Sequence, residues 1–326
     1  MKYTIFGESH GPAIGVVLEG APAGLTLDTD FIRAELSRRA PGKSQTATAR
    51  READEPEILS GVFEGKTTGA PLCAVIRNAD THSSDYDELR YKPRPSHADY
   101  AAFVRYGGSA DYRGGGHFSG RLTAPLVFAG AVAKQLLAGF GVTVAAEIAS
   151  VGGVKDPTPE QIDEIVLAAK NDLDSVGGAI RCQICGVPAG LGGPDFGSNI
   201  EGELARAVFA VPAVKGIEFG AGFGMAAMRG SQANDPLRAE NGRAVAATNN
   251  AGGINGGISN GMPIVFTVAM RPTPSIGREQ NTVDLRDMTD AVLTVKGRHD
   301  PCIVPRAVPV IEAAAALTMV DIIQRG

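Results

Sequence analysis

The chain has 326 residues, 44% of them hydrophobic, and a formal net charge of -5 from 31 basic and 36 acidic side chains. That length buries a sizeable core, as one large unit or two smaller ones. The near balance of charge excludes a global attraction to nucleic acid or to an anionic membrane, so an anion site has to be a local cluster of basic residues.

In chain order, Ile14 to Glu19 reads as a short strand. Asp28-Thr29-Asp30 caps a helix that runs through Phe31, Ile32, Leu36 and Arg39 and stops at Pro41-Gly42. Lys43 to Glu55 is polar, carries Arg50 and Arg51, and reads as a mobile loop. Cys73 to Ile76 is a strand, and the polar, proline-bearing stretch Asn78 to Ser96 is another loop. Thr123 to Leu137 is apolar nearly all round, which predicts a helix buried on most sides. Val142 to Val151 is strand-like. Thr158-Pro159-Glu160-Gln161 is a capping box with proline at the first helical position, opening a helix to about Lys170. Ile180 to Val187 is a strand, and Ser198-Asn199-Ile200-Glu201 reads as a second capping box for a helix to Phe209. Ile217 to Phe219 and Ile264 to Met270 are strands; Leu285 to Leu293 and Val308 to Gln324 are helical by period. Strands and helices alternate only loosely, so the fold class is α+β, one unit over residues 1–326, with sheets covering helices or helices covering sheets.

The 42 glycines imply many positions of positive φ or close backbone approach. The four cysteines, Cys73, Cys182, Cys185 and Cys302, are too few for a disulfide framework. The single CxxC lacks the second pair or the histidines of a zinc site, so no metal is expected. The first residues lack the apolar core of a signal peptide, and no apolar run approaches the ~20 residues that span a bilayer. The expected location is the cytoplasm.

Several segments concentrate chemistry. Phe6-Gly7-Glu8-Ser9-His10-Gly11 sets an imidazole between a serine and a glycine, either a turn residue or an acid or anion contact. In Arg94-Pro95-Ser96-His97-Ala98-Asp99 the prolines constrain the backbone ahead of His97, which suits proton transfer, although a plain surface loop has the same look. Asp111-Tyr112-Arg113-Gly114-Gly115-Gly116-His117-Phe118-Ser119-Gly120-Arg121 leads into the buried helix; glycines there expose backbone N–H groups to an anion, and Arg113 and Arg121 add charge. It lacks the lysine and spacing of a P-loop. A second glycine-dense loop, Asn249 to Gly261, offers backbone that lies flat against a planar ligand. Arg271-Pro272-Thr273-Pro274-Ser275 is rigid and polar. Lys296-Gly297-Arg298-His299-Asp300-Pro301-Cys302 crowds a cation, an imidazole and a carboxylate into one turn, which is either a salt-bridged turn or a site.

Taken together, Phe6–Gly11, Arg94–Asp99, Asp111–Gly116, Asn250–Gly253 with Gly256–Ser259, and Gly297–Cys302 resemble, in order and over essentially the whole chain, the signature segments of the chorismate synthase family. The resemblance implies a β-α-β sandwich with helices packed between sheets, assembled as a homotetramer. It implies conversion of 5-enolpyruvylshikimate 3-phosphate to chorismate and phosphate, the last common step toward the aromatic amino acids, by a 1,4-elimination that needs reduced FMN without net redox change. Two carboxylates and a phosphate then call for a basic pocket in this acidic protein, for which arginine is suited. By the same resemblance His10 protonates the leaving phosphate, His97 serves a proton near the flavin N1, and Asp300 helps a proton leave the flavin N5 region. Ser9, Arg39, Arg94, Arg121 and Arg298 are the implied substrate contacts. Flavin contacts fall on Arg39, on His117, Phe118 and Ser119, on Pro212 and Ala213, and on Gly256. They continue along Arg271, Pro272, Thr273, Pro274 and Ser275, and end at Arg298.

Where the family usually has Arg-Ser-Ser after the triple glycine, this chain has His117-Phe118-Ser119; Gln45 stands where many relatives have arginine, and Pro274 replaces a serine. The stretch from Ser275 to Lys296 is short. These departures bear on flavin affinity rather than on reaction type. No module for reducing flavin with NADPH is recognisable, which implies an external source of reduced FMN. Two competing classes remain: a flavin oxidoreductase with a net redox outcome, which would need a nicotinamide site that no Rossmann fingerprint supports, and a non-catalytic relative, against which His10, His97, Arg298 and Asp300 all count.

Overall fold

The structure is a computed structural model and describes residues 1–41, 54–79, 88–295 and 300–325. The chain runs β1 (Lys2–Gly7), β2 (Ala13–Glu19), α1 (Thr29–Arg39), β3 (Pro56–Ser60), β4 (Val62–Phe63), β5 (Lys66–Thr67), β6 (Leu72–Arg77), α2 (Asp99–Arg105) and α3 (Thr123–Ala138). It continues through β7 (Thr143–Val151), β8 (Val154–Lys155), α4 (Pro159–Asn171), β9 (Gly178–Cys185), α5 (Ile200–Phe209), β10 (Val214–Phe219) and α6 (Gly230–Ala233). Three hairpin pieces and a long helix complete it: β11 (Leu237–Glu240) with β12 (Arg243–Ala246), β13 (Ile254–Asn255) with β14 (Ile258–Ser259), β15 (Ile264–Met270), β16 (Glu279–Asp284) with β17 (Thr289–Thr294), and α7 (Val304–Arg325).

Two antiparallel sheets, ordered β1-β2-β6-β3 and β10-β15-β9-β7-β8, enclose a helical layer. Alternation writes the inner faces. Ile14, Val16 and Leu18 of β2 are wholly buried, as are Ile180, Cys182 and Ile184 of β9 and Ile264, Phe266 and Val268 of β15. The helix α3 packs on the first sheet and α7 on the second, and the two helices pack on each other. One continuous apolar core joins all three layers. The layer is therefore sheet, helices, sheet, which settles the order that pattern alone left open.

The two central helices approach closely because the residues between them are small. A Cβ built on Gly130 of α3 would lie 2.2 Å from Ala313 Cβ of α7, so only glycine fits there. At 22 residues α7 is long and apolar enough to cross a membrane, contrary to the reading that no such run exists, but 78% of its apolar window is buried inside the protein. It is the core helix, and its one buried carboxylate is paired. Glu312 accepts from Arg38 Nη1 (2.6 Å) and Nη2 (2.9 Å), from Lys134 Nζ (2.6 Å) and from the backbone N–H of Ala146 (2.8 Å). Glu35 completes the cluster, accepting from Arg38 (2.7 Å) and Lys134. With two acids against two bases, no buried charge is left uncompensated. Successive helical residues point about 100° apart, so anchoring Arg38 in this cluster turns Arg39 away from it, and Arg39 lines the cleft.

Two local expectations are corrected. Leu285 to Leu293 is not a helix: Glu279–Asp284 and Thr289–Thr294 pair as an antiparallel hairpin. Asp284 closes its turn by accepting from the backbone N–H of Arg286 (3.1 Å). Pairing with a neighbouring strand outweighs a weak local helical period. The N-cap of α5 is Asn199 and not Ser198, since the Asn199 Oδ1 accepts from Gly202 N. The box at Thr158 is present as read, with both reciprocal bonds. All four cysteines are free thiols. Burial pushes the Cys302 thiol up to about 11 and the Cys182 thiol higher still. Among the described residues no group of three His, Cys, Asp or Glu side chains is placed to hold a metal.

Candidate active site

A cleft of about 280 Å³ opens where the start of α3, the end of α1, the segment after β15 and the first turns of α7 converge. Five arginines line it: Arg39, Arg94, Arg121, Arg271 and Arg306. The lining also includes the apolar residues Val211, Met270, Ile303, Ala307 and Val310.

Four of the five arginines, Arg39, Arg94, Arg121 and Arg306, are fixed by carboxylates. Arg39, 3% exposed at the C-terminus of α1, donates from Nη1 to Asp54 Oδ2 (2.7 Å), from Nε to Thr123 Oγ1 (3.1 Å) and from Nη2 to the Gly120 carbonyl (3.1 Å). Arg121 donates to the other oxygen of Asp54, and from Nε to Asn78 Oδ1 (3.1 Å). Burial lowers the Arg39 guanidinium to about 10, partly offset by Asp54. Burial alone would raise the Asp54 carboxyl, but the two guanidiniums outweigh it and hold it below the usual carboxylate range.

Arg94 organises the next wall. Its Nε and Nη2 grip both oxygens of Asp99 (2.7 and 2.8 Å), its backbone N–H donates to Asp99 Oδ2 (3.1 Å), and Nη1 donates to Ser275 Oγ (2.9 Å). His97 Nδ1 lies 2.5 Å from Asp99 Oδ1 and 3.0 Å from Arg94 Nη2. Arginine only donates and a carboxylate only accepts. The shorter contact therefore assigns the proton to Nδ1, donated to Asp99, and leaves Nε2 as an acceptor. Burial, then the Arg94 charge, push the His97 imidazole below 6.5 despite Asp99, so it is neutral at pH 7. A depressed imidazole is protonated in the unfolded chain first. Stability is thus fully present above about pH 6.5 and falls as pH drops below that value. In urea unfolding, His97→Gln is expected to show a shallower loss between pH 7 and pH 5 than the parent protein; an unchanged slope would contradict the assignment.

The triple glycine passes between the two imidazoles. Gly114 (φ 59°) and Gly115 (φ 83°) are left-handed, which disfavours any side chain. A Cβ on Gly114 would sit 2.5 Å from His10 Nε2, and one on Gly115 3.2 Å from His97 Nε2. His10 is half-buried and reaches the cleft through Gly114. Ser9 beside it is wholly buried, and its Oγ has no hydrogen-bond partner among the described residues. A polar atom left so costs free energy unless something else satisfies it.

Asp300 lies on the far wall. Its Oδ2 accepts from Arg306 Nη1 (2.6 Å) and its Oδ1 from the backbone N–H of Cys302 (3.3 Å), while its carbonyl accepts from Thr273 Oγ1 (2.9 Å). Ala213 also lines the cleft with φ 73°, a conformation unfavourable for alanine, held by the bond from Arg271 N to its carbonyl (3.0 Å). Strain of this kind persists where the surroundings over-determine it, commonly at ligand sites.

Of the residues singled out in the sequence, the cleft thus gathers Arg39, Arg94, His97, Phe118, Ser119, Arg121, Pro212, Ala213, Arg271, Thr273, Pro274, Ser275 and Asp300. His10 and Ser9 adjoin it. Pro272 is not in its lining. His117 is exposed, with Nδ1 3.0 Å from the Gly7 carbonyl, and Gly256 is exposed in the β13–β14 turn. Arg298, Gln45, Arg50 and Arg51 lie outside the described residues. Sequence reasoning missed Asp54 and Arg306. Arg306 stood just outside the helix read from Val308, and Asp54 stands in a run of charged residues, so neither carried a signal.

A cationic cleft that also carries a neutral imidazole and a carboxylate suits an enzyme acting on a small anion. Residues 1–324 match the family described as chorismate synthase. Chorismate synthase of Aeropyrum pernix is 50% identical over 99% of this chain and 90% of its own length, that of Thermococcus gammatolerans 49% over 98% and 95%, and that of Dehalococcoides mccartyi 46% over 100% and 95%. A crystal structure of chorismate synthase superimposes with a TM-score of 0.75 at 29% identity, covering 99% of this chain and 91% of the other. The chain belongs to the chorismate synthase family and is a lyase.

Proposed function

We propose that the protein converts 5-enolpyruvylshikimate 3-phosphate to chorismate and phosphate by a 1,4-elimination that requires reduced FMN and leaves it unchanged overall. The observation that carries this reading is a cleft lined by five arginines and, beside them, by the apolar residues Val211, Met270, Ile303, Ala307 and Val310. The guanidiniums suit a phosphate and two carboxylates; the apolar residues suit a flat ring system, so the residues present fit both substrate and flavin. Reduced FMN, when bound, supplies the transient electron donation that lets a C–O and a C–H bond break without net redox change.

The chain's own residues then divide the work. Arg39, Arg94 and Arg121 hold substrate anions, with Ser9 satisfied by the bound ligand and Arg298 as a further contact. His10 delivers a proton to the leaving phosphate oxygen. His97, neutral with Nε2 unprotonated, is ready to take and hold a proton at that nitrogen on the flavin side. Asp300 accepts a proton at its carboxylate. Phe118, Ser119, Pro212, Ala213 and the Arg271–Ser275 segment, stiffened by Pro272 and Pro274, form the flavin wall, with His117, Gly256 and Arg298 as contacts beyond it.

We read residues 1–326 as one domain, because one core joins both sheets. We read the working assembly as a cytoplasmic homotetramer supplied with reduced FMN from outside. Apolar side chains such as Phe223 and Leu237, 84% and 74% exposed, support burial against further copies. The reading is tested by assaying the purified protein for chorismate with reduced and with oxidised FMN.

A further inference from the structure

We propose that Arg306 is a positioning residue that sets the orientation of the Asp300 carboxylate by tying it to the C-terminal end of α1. The inference rests on the proposed role of Asp300 and names the residue through which that role is maintained.

Arg306 sits in the first turn of α7, half-buried on the cleft wall. Its Nη1 donates to Asp300 Oδ2 at 2.6 Å, and its Nε donates to the carbonyl of Arg39 at 3.0 Å. One planar guanidinium therefore spans two sides of the cleft, one carrying the carboxylate and the other an anion-holding arginine. The other Asp300 oxygen is held by Cys302 N, and the Asp300 backbone by Thr273. With both oxygens engaged, the carboxylate has one orientation toward the cleft. The carbonyl of Arg39 is an orphan acceptor at a helix end, so Arg306 also closes α1. No other described side chain makes both contacts. The arrangement needs a rigid fork with two donors in fixed relation. A lysine at 306 would keep the charge but not the fork.

The test is a double-substitution cycle in steady-state turnover, with Arg306→Met, Arg306→Lys, Asp300→Asn and the combined Arg306→Met/Asp300→Asn, each checked for native circular dichroism. Arg306→Met is expected to lower kcat about 10²-fold, the usual cost of a misplaced catalytic group, with KM for 5-enolpyruvylshikimate 3-phosphate little changed. Arg306→Lys should recover part of the loss. In the Asp300→Asn background, Arg306→Met should add almost nothing, because residues acting as one unit are not additive. A full additional loss in the combined variant would overturn the proposal, as would a raised KM at unchanged kcat. If Arg306→Met does not fold, Arg306→Lys in the same two backgrounds decides by the same criterion. An inactive parent protein would remove the reading of function and this proposal with it; an active parent with additive losses would remove this proposal alone.

Discussion

Arg94→Met is expected to destabilise the protein by about 3–5 kcal/mol, the range for removing one partner of a buried ion pair, and to abolish turnover. Asp99 would lose the two side-chain hydrogen bonds that Arg94 supplies and keep only those from the Arg94 backbone N–H and His97. His97 would lose the neighbour that, with burial, keeps it neutral, and Ser275 would lose its anchor. The loss has a pH signature. Burial favours the protonated Asp99 carboxyl, but bonds from Arg94 and His97 prevail and hold it far below its ordinary 3.8. A depressed carboxyl contributes stability above the unfolded value and loses it as pH falls through the folded one. The gap between parent and Arg94→Met should therefore be widest near neutrality and narrow below about pH 4. Arg94→Lys should recover little, since a single ammonium cannot serve both oxygens, Ser275 and the ring together. Guanidinium unfolding at pH 7 and pH 3 measures all of this; a gap that does not narrow at pH 3 would remove Asp99 as its cause.

His10→Ala is expected to lower kcat by about 10² to 10⁴-fold, the usual contribution of a positioned acid or base, while leaving flavin affinity near that of the parent. The ring lies against Gly114 and is not among the residues proposed as the flavin wall. Steady-state kinetics paired with anaerobic flavin titration separates the two effects. A large fall in flavin binding with intact turnover would contradict the role assigned to His10.

Much of the frame was legible. The caps at Asp28 and Thr158, the stop at Pro41-Gly42 and the all-round apolarity of Thr123 to Leu137 are local signals, and each element lies within a residue or two of where they point. What failed was decided at a distance. The β16–β17 hairpin is made by strand pairing and by Thr282 donating to the Pro93 carbonyl (2.6 Å), neither of which a helical period reports. Pro41 and Gly42 mark an end for α1, but not that the end is closed by Arg306, 267 positions later. The strand β1 pairs with β2, a contact that nothing in its own residues reports.

The site was legible as a set of segments and not as a geometry. Arg94, His97 and Asp99 lie within one motif, yet their mutual arrangement depends on Arg94 reaching Ser275 across 181 positions. The glycines of 114–116 read as an anion loop; in the fold Gly114 and Gly115 also let the backbone pass between His10 and His97, a function of two long-range neighbours. Asp54 escaped notice because nothing in its surroundings in sequence indicates that Arg39 and Arg121 would meet on its two oxygens.

The central claim is turnover with reduced flavin. Purified protein is mixed anaerobically with dithionite-reduced FMN and 5-enolpyruvylshikimate 3-phosphate, and chorismate absorbance and phosphate release are followed together, with oxidised FMN as the control. The account predicts equal amounts of chorismate and phosphate with reduced flavin and neither with oxidised flavin. Folded protein that binds the substrate but forms neither product would contradict it and would leave a cleft that holds anions without transforming them.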